Sequence, residues 1–371
     1  MSRRRRSFRM KGEPLPPEDG WIEWGGEAVW AVGETPGGAP YGLTPEDFRA
    51  AAEHDSPGAE WVRAKSILRG AIQGWVDGRT MVEVGWVKKV GAGLSRDLFA
   101  AEVNVSPDLE KLSGVYVVLL PRREAPSGLD ARTSREAAVL RRLAQLDLPF
   151  CVPRVIGVIP EGDRLVLVRE FVEGIDMDPR AGRQPGVRPW ELVGQLAAAI
   201  HKIDLTGFLD LLPGYATRRN HAEALLRVFM ELEGAEAEDA HAWAREHLPP
   251  AVPAVFVHGD LLGQNILLYP GESPAVIDWE YAMRADPAYD LAIVTRGVRR
   301  PFQVEHGLER LLNAYTTAGG TPLGLADVRF HEVCLAAGWY REALARRGAE
   351  PPDQARQRLR GILARAQRAG Q

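Results

Sequence analysis

The sequence predicts an α+β fold with two lobes: a small antiparallel β-sheet with one main helix, followed by a larger, mostly helical lobe. Three observations lead to this prediction. The chain has 371 residues, more than one compact core usually holds. Strand-like runs with a single strong helical run occupy residues 81–174. Helical periodicity dominates the remainder, residues 175–371, and residues 1–80 precede both lobes as an N-terminal extension.

Composition and charge limit the classes of protein to which the chain can belong. Apolar residues make up 45% and charged residues 26%, as in globular proteins with a sizeable buried core. The net charge of −4 gives no overall attraction to nucleic acid, so we expect no such partner. Basic residues are dense only at positions 3–6, which we interpret as part of a solvated tail, with a contact to nucleic acid or anionic lipid as the alternative.

Cysteine usage and hydropathy favour a cytoplasmic protein. The two cysteines, Cys151 and Cys334, are far apart in sequence, so we expect no disulfide framework. No stretch approaches the ~20 apolar residues that a membrane span needs, so we expect no membrane partner. The oligomeric state is left open between a monomer and a homodimer.

The N-terminal extension contains a predicted hairpin and two predicted helices. Residues 21–33 alternate in polarity around two glycines, which is typical of a β-hairpin. Residues 44–54 and 56–76 have helical start signals and apolar spacing. The extension matches no motif, and it is left open as an added subdomain, a dimer contact or a lid.

The first lobe is predicted to run β-β-β-α-β-β. Its helix, at residues 133–146, is expected to begin at a capping box formed by Thr133 and Glu136. The predicted strands are residues 81–90, 97–105, 114–121, 152–160 and 164–174.

The second lobe begins with a helix at residues 189–204, whose apolar residues fall on one face. A further helical segment is predicted at residues 230–247. It carries five acidic residues that would favour a polycationic ligand, with a solvated helix face as the alternative. These acidic residues are Glu231, Glu233, Glu236, Glu238 and Asp239.

Polar residues crowd between two short apolar strands in "VFVHGDLLGQNILL" and "AVIDWEYAMRADPAYDLA", residues 255–268 and 275–292. A hairpin centred between Gly271 and Glu272 would place Asn265 opposite Asp278 on one side of the sheet. An amide oxygen and a carboxylate there form a half-shell suited to Mg²⁺. Asp260, in the preceding loop, could accept a proton from a hydroxyl that attacks phosphorus. The alternative is that the three residues cap turns.

These two segments resemble the signature of the aminoglycoside phosphotransferase (APH) family, within the protein-kinase-like superfamily, and the resemblance covers about residues 81–346. It implies a bilobal protein-kinase-like fold that uses ATP, with GTP as the alternative, and Mg²⁺. It implies that Asp260 is the catalytic base and that Asn265 and Asp278 are the metal ligands. It further implies that His258 and Asp290 support the catalytic loop structurally.

The resemblance extends to the first lobe, where "GAGLSRDLF" at residues 91–99 is similar to the family's glycine-rich loop and "VREFVEG" at residues 168–174 to the hinge that reads adenine. It implies that the helix glutamate pairs with a basic residue on the third strand. The nucleotide-binding groups that it implies are Gly91, Gly93, Ser95, Glu136, the Glu170 carbonyl and the Val172 N–H.

Two positions depart from the family pattern. The third strand offers Leu119 or Leu120 where the basic residue is expected, and a nearby cation would have to serve instead. Leu262 stands where the family often has a histidine. The candidate replacements for the strand-three cation are Lys88, Lys89, Arg122 and Arg123.

The sequence therefore predicts an ATP- and Mg²⁺-dependent O-phosphotransferase whose acceptor is a small-molecule hydroxyl. Glu280, just past Asp278, is the acceptor-site candidate; whether the acceptor is an antibiotic or a metabolite is left open. Two alternatives remain. One is a degenerate kinase-like protein that binds nucleotide without turnover. The other is a metal-dependent phosphoesterase that uses His258, Asp260 and Asp278.

Overall fold

The computed structural model describes residues 21–24, 27–34, 40–43, 57–74, 82–92, 95–105, 112–122, 125, 127–347 and 350–369. The predictions for the basic start, the helix at 44–54, Gly93 and Arg123 lie outside these residues. The chain divides into two compact units, which we call unit 1 (Met1–Ala137 with Arg154–Phe171) and unit 2 (Ala138–Pro153 with Val172–Gln371). The domain boundaries predicted at residues 80 and 174 stay predictions.

Unit 1 is built from antiparallel strands and two helices, α1 (Pro57–Gln73) and α2 (Leu129–Leu143), of which α2 runs on into unit 2. Its strands are β1 (Trp21–Trp24), β2 (Glu27–Glu34), β3 (Pro40–Leu43), β4 (Val82–Ala92), β5 (Arg96–Val105), β6 (Gly114–Pro121), β7 (Val155–Glu161) and β8 (Arg164–Glu170). Strands β1 and β2 pair as the predicted hairpin. The order β-β-β-α-β-β predicted for the first lobe is confirmed by β4, β5, β6, α2, β7 and β8.

The main sheet of unit 1 is antiparallel, with strand order β4-β5-β6-β8-β7. Strands β5 and β6 pair without a register shift from Arg96↔Pro121 to Val103↔Gly114, so their side chains alternate strictly between the two faces. Phe99 and Leu120 pack in the apolar core that α1 covers. Arg96 and Leu119 therefore face the opposite side of the sheet.

The capping box predicted for α2 is wrong. The helix begins at Leu129, and Thr133 lies fully buried inside it. The Thr133 hydroxyl donates to the Leu129 carbonyl one turn earlier (2.9 Å), a bond that a threonine makes within a helix rather than at its start. Thr133 and Glu136 instead both accept hydrogen bonds from Arg96, at the start of β5.

Unit 2 is mostly helical and contains two small sheets, of order β10-β13 and β12-β11-β9. One of its apolar cores lies among α4, α5, α8 and α9. Its helices are α3 (Pro189–His201), α4 (Arg218–Leu226), α5 (Ala235–Glu246), α6 (Ala288–Thr295), α7 (Gly307–Thr317), α8 (Leu325–Leu344) and α9 (Pro352–Ala369). Its strands are β9 (Ile175–Asp176), β10 (Val255–Val257), β11 (Ile266–Leu268), β12 (Ala275–Val276) and β13 (Met283–Ala285). Short 3-10 turns lie at Leu205–Phe208, Arg227–Glu231, Gly263–Asn265, Trp279–Tyr281 and Pro301–Gln303.

The continuous helical segment predicted at residues 230–247 is wrong. A 3-10 turn ends at Glu231, and α5 begins only after Gly234, which has φ +103°. Of the acidic residues there, Glu231 pairs with Arg341 (3.3 Å) and Glu236 pairs with Arg360. These arginines offset part of the negative charge that the sequence seemed to offer to a cationic ligand.

Within the part of the chain that the structure describes, no helix is both long and apolar enough to cross a bilayer.

Candidate active site

The hairpin that carries Asn265 and Asp278 has a different register from the predicted one. Strands β11 and β12 pair through Ile266↔Val276 and Leu267↔Ala275, so Asn265 lies across from Ile277, whose N–H donates to the Asn265 carbonyl (2.9 Å). The predicted pairing of Asn265 with Asp278 is therefore wrong by one residue. The hairpin is centred on Gly271, which has φ +82°, and not between Gly271 and Glu272 as predicted.

Asp278 lies just beyond the end of β12 in a left-handed backbone conformation, with φ 64° and ψ 61°. This conformation is rare for a residue other than glycine and costs on the order of 1–3 kcal/mol unless neighbouring contacts hold it. Because Asp278 is outside the ladder, this turn, rather than strand pairing with Asn265, sets its direction.

Asp260 and Asn265 are joined directly by hydrogen bonds. The Asn265 amide nitrogen donates to the Asp260 main-chain oxygen (2.8 Å) and to its carboxylate (3.0 Å). Burial raises the pKa of Asp260 above its ordinary value, although the hydrogen bond from Asn265 and the charge of Arg296 oppose the rise. Since the amide nitrogen faces Asp260, the amide oxygen of the 96%-buried Asn265 is directed to the opposite side.

His258 connects the Asp260 loop to the residue before Asp278. Its Nε2–H donates to the Ile277 carbonyl (3.0 Å), and its Nδ1 accepts the N–H of Asp260 (3.2 Å). These partners fix the neutral tautomer with the proton on Nε2. The ring is fully buried, 4.5 Å from the Trp279 ring, and the Trp279 indole N–H is anchored to the Val276 carbonyl (2.9 Å).

Asp290, fully buried in α6, holds the start of the loop. Its carboxylate accepts the backbone N–H groups of His258 (2.9 Å) and Gly259 (2.8 Å) and the Nε2–H of His201 (3.1 Å). The Nδ1 of His201 in turn faces the Tyr315 hydroxyl (2.9 Å). Burial alone would raise the pKa of Asp290, but the hydrogen bonds from His201 and from the backbone of His258 lower it below its ordinary value.

A second carboxylate in the same segment, Asp286, serves a different region. It lies 3.0 Å from Arg218 Nε and 3.2 Å from His331 Nε2, and it accepts the N–H of Ala288 (2.9 Å). Burial would raise the pKa of Asp286, and His331 and Arg218 lower it well below its ordinary value. Asp286 thus ties α4 and α8 to the start of α6.

Two glycines of the loop are required by close backbone contacts. Gly259 has φ +83°, and a Cβ there would lie 2.3 Å from the Tyr281 carbonyl oxygen. A Cβ on Gly263 would lie 2.4 Å from the Met177 carbonyl oxygen. The pairing of β10 with β13 holds the chain of Tyr281 against the loop.

In unit 1, Glu136 pairs with a residue that sequence reasoning missed. Arg96, at the start of β5, donates to the Glu136 carboxylate (2.7 Å) and to the Thr133 hydroxyl (2.9 Å). The cation comes from the second strand of the main sheet rather than from the third. The sequence signal for it was an arginine within the segment that resembles the glycine-rich loop.

Two of the predicted replacement cations are held elsewhere. Lys89 Nζ and Arg122 Nη2 each lie 2.9 Å from the Asp97 carboxylate. Asp97 follows Arg96 on β5 and therefore faces the opposite side of the sheet. The expected third-strand position on the Arg96 face is Leu119, which pairs with Leu98.

The structure places the remaining predicted residues without testing their roles. Gly91 lies near the end of β4, and Ser95, which is buried, accepts the N–H of Arg122 through its carbonyl (2.9 Å). Glu170 ends β8, and its backbone N–H donates to the Arg154 carbonyl (2.8 Å). Val172 follows in unit 2, half-buried, and Glu280 lies in the 3-10 turn after Asp278.

The residues at the end of the β11–β12 hairpin fit a hard cation with few protein ligands. Asn265 and Asp278 offer an amide oxygen and a carboxylate, the donors that Mg²⁺ takes. Among the described residues, no three or more His, Cys, Asp and Glu side chains cluster in a way that could hold a metal ion. The described part of the chain thus lacks the larger His and carboxylate set that the phosphoesterase alternative needs.

Comparisons with known proteins agree with this fold. The model of the phosphotransferase enzyme family (APH) matches residues 107–331, more than half of the chain. Mouse (Mus musculus) acyl-CoA dehydrogenase family member 10 is 24% identical over 241 residues, 58% of this chain and 21% of that protein. The chain thus spans about a fifth of the length of that relative.

Solved structures with the same fold include two antibiotic phosphotransferases. Macrolide 2′-phosphotransferase type I superimposes with a TM-score of 0.56 at 23% identity, covering 79% of this chain and 96% of that chain. A thermostable mutant of aminoglycoside phosphotransferase APH(4)-Ia, in a ternary complex with ADP and hygromycin B, gives a TM-score of 0.59 at 18% identity, covering 76% and 95%. At these identities the likeness shows the fold, and the predicted bilobal, protein-kinase-like class is confirmed.

Proposed function

The chain belongs to the phosphotransferase enzyme family, and from that premise we propose that it transfers the γ-phosphate of ATP to a hydroxyl group of a small molecule, with Mg²⁺ as cofactor. GTP is the alternative donor. We assign nucleotide binding to residues 81–174 and the catalytic loop and acceptor site to residues 175–371. The extension at residues 1–80 has no assigned role.

One observation carries the proposal: buried side chains tie Asp260, Asn265 and the turn at Asp278 together. His258 bonds both to Asp260 and to the residue before Asp278, and Asn265 bonds to Asp260. Asp290 holds the backbone at the head of the loop. A rigid frame of this kind suits phosphoryl transfer, in which positioning and electrostatics supply most of the catalysis.

In the proposed reaction Asp260 orients the acceptor hydroxyl and takes its proton as the oxygen attacks the γ-phosphorus. Asn265 and Asp278 would hold the cation, which when bound neutralises charge on the terminal phosphates. Asp290 and His258 keep Asp260 in place, and Glu280 faces the acceptor.

The alternative of a degenerate kinase rested on one observation, the lack of a basic residue on the third strand. Arg96 reaches Glu136 from the neighbouring strand, so the nucleotide lobe has a buried cation at this glutamate. We therefore propose a kinase-like transferase with turnover.

The test measures ATP consumption and acceptor phosphorylation against macrolides, aminoglycosides, choline, homoserine and sugars. The Asp260→Asn variant should keep its ATP affinity and lose about 10²–10⁴-fold in kcat, because the amide cannot take the hydroxyl proton. Asp210→Asn is the matched control, since Asp210 is exposed and pairs with Arg142 on the surface. Phosphorylation of no acceptor, or a D260N variant as fast as the parent, would refute the proposal.

A further inference from the structure

The ion pair between Arg96 and Glu136 is almost completely buried. The two side chains are 5% and 1% exposed, and their nearest charged atoms lie 2.7 Å apart. The Thr133 hydroxyl accepts a hydrogen bond from a second N–H of the same guanidinium and donates its own O–H to the Leu129 carbonyl. Glu136 and Thr133, one turn apart on α2, therefore orient the guanidinium from one side.

Stability alone gives a weak reason for this pair. Taking two charges out of water carries a desolvation cost, and apolar residues of similar volume often serve a fold as well or better. Leu98 and Leu119 lie on the same face of the sheet, together with a second buried arginine, Arg169. A guanidinium that two partners on α2 hold in a fixed orientation is suited to bind an anionic ligand through its forked N–H groups.

The position of Arg96 in the chain indicates which ligand. Arg96 lies within the segment at residues 91–99 that resembles the glycine-rich loop. Of the described replacement candidates, Lys89 and Arg122 are bonded to Asp97 on the opposite face, whereas Lys88 lies on the face of Arg96 but is exposed. Arg96 is thus a buried cation within that segment, and a polyanion bound there would meet it.

We propose that Arg96 is the phosphate-binding cation of this chain, supplied by the second strand of the sheet and oriented by Glu136. It bonds the α- or β-phosphate of the nucleotide, the contact that the third strand, with Leu119, cannot make. This inference rests on the proposed function, because it takes the ligand to be a nucleoside di- or triphosphate.

The experiment compares the affinities for ADP and for adenosine, measured by calorimetry without turnover. Arg96→Met should weaken ADP binding by about 10- to 100-fold, the equivalent of one charge-assisted contact, and leave adenosine binding within about twofold. Arg164→Met is the matched control, because Arg164 also joins a strand to α2, through Asp130 (3.5 Å), and its ADP affinity should equal that of the parent. The midpoint of thermal unfolding is recorded for each variant.

Equal loss of ADP and adenosine binding in R96M would overturn the proposal, since it would show that Arg96 only shapes the fold. Unchanged ADP binding would overturn it as well. If R96M fails to fold, Arg96→Lys replaces it in the test, because lysine keeps the charge but not the forked geometry. ADP binding by this variant should fall several-fold while adenosine binding stays unchanged. Equal losses of ADP and adenosine binding would refute the proposal. A parent that binds ADP but phosphorylates no acceptor refutes the proposed function and leaves this test valid. A parent that binds no ADP refutes both.

Discussion

Replacing Asp290 with asparagine should destabilise the protein and slow catalysis together. The carboxylate accepts three hydrogen bonds, from His258 N–H, Gly259 N–H and His201 Nε2–H, at 2.9, 2.8 and 3.1 Å. An amide has one oxygen, so in either orientation its NH₂ group faces at least one of these donors. One buried N–H then lacks an acceptor, at about 1–3 kcal/mol, and the surviving bonds lose their charge assistance. We expect the free energy of unfolding to fall by about 3–5 kcal/mol.

The same change should lower kcat by about tenfold or more, because the backbone that positions Asp260 is released. Urea unfolding followed by tryptophan fluorescence gives the stability, and steady-state kinetics on the folded enzyme give kcat. Asp286→Asn is the matched control. It also removes a buried carboxylate charge, the one that pairs with Arg218 and His331, but it should leave kcat within about threefold of the parent value. A D290N variant with parental stability, or equal kcat in D290N and D286N, would refute the reasoning.

Two further predictions concern the same loop. Gly259→Ala should prevent native folding of unit 2, because its Cβ would lie 2.3 Å from the Tyr281 carbonyl oxygen at a positive φ; a soluble variant with parental thermal unfolding would contradict this. The acid limb of the kcat/KM profile should lie above the range of an exposed aspartate, because burial raises the pKa of Asp260, which must be deprotonated to accept a proton. Asp290 has a lowered pKa, so its stabilising effect is complete above the unfolded value of about 3.9 and is lost only as the pH falls further. Activity should therefore fall at a higher pH than the fold, and coincident transitions would argue against this order.

The sequence predicted the strand and helix order of the first lobe because its runs are long and strongly patterned. Local signals failed where a tertiary contact decided the outcome. Thr133 and Glu136 have the spacing of a capping box, yet both serve Arg96 from inside α2. The hairpin is centred on Gly271, which has a positive φ, rather than between Gly271 and Glu272, and the pairing of Asn265 differs from the prediction by a single position.

Asp260, Asn265 and Asp278 could be predicted as site residues because they lie close together along the chain. Arg96, the cation that pairs with Glu136, could not be predicted in this way. Its partner is 40 residues away, and nothing in the local pattern tells which face of β5 an arginine joins. The register of strand pairing determines which face the arginine lies on, and a single sequence does not specify that register.

The imidazole of His258 has a consequence for how this protein can change. Because one ring accepts the N–H of Asp260 and donates to the peptide ahead of Asp278, a shift of either segment alone would break a buried hydrogen bond. Sequence changes around this ring therefore have little freedom to alter the distance between Asp260 and Asp278. Changes in what the site binds would have to arise in the residues around it, because the segments that carry Asp260 and Asp278 can shift only together.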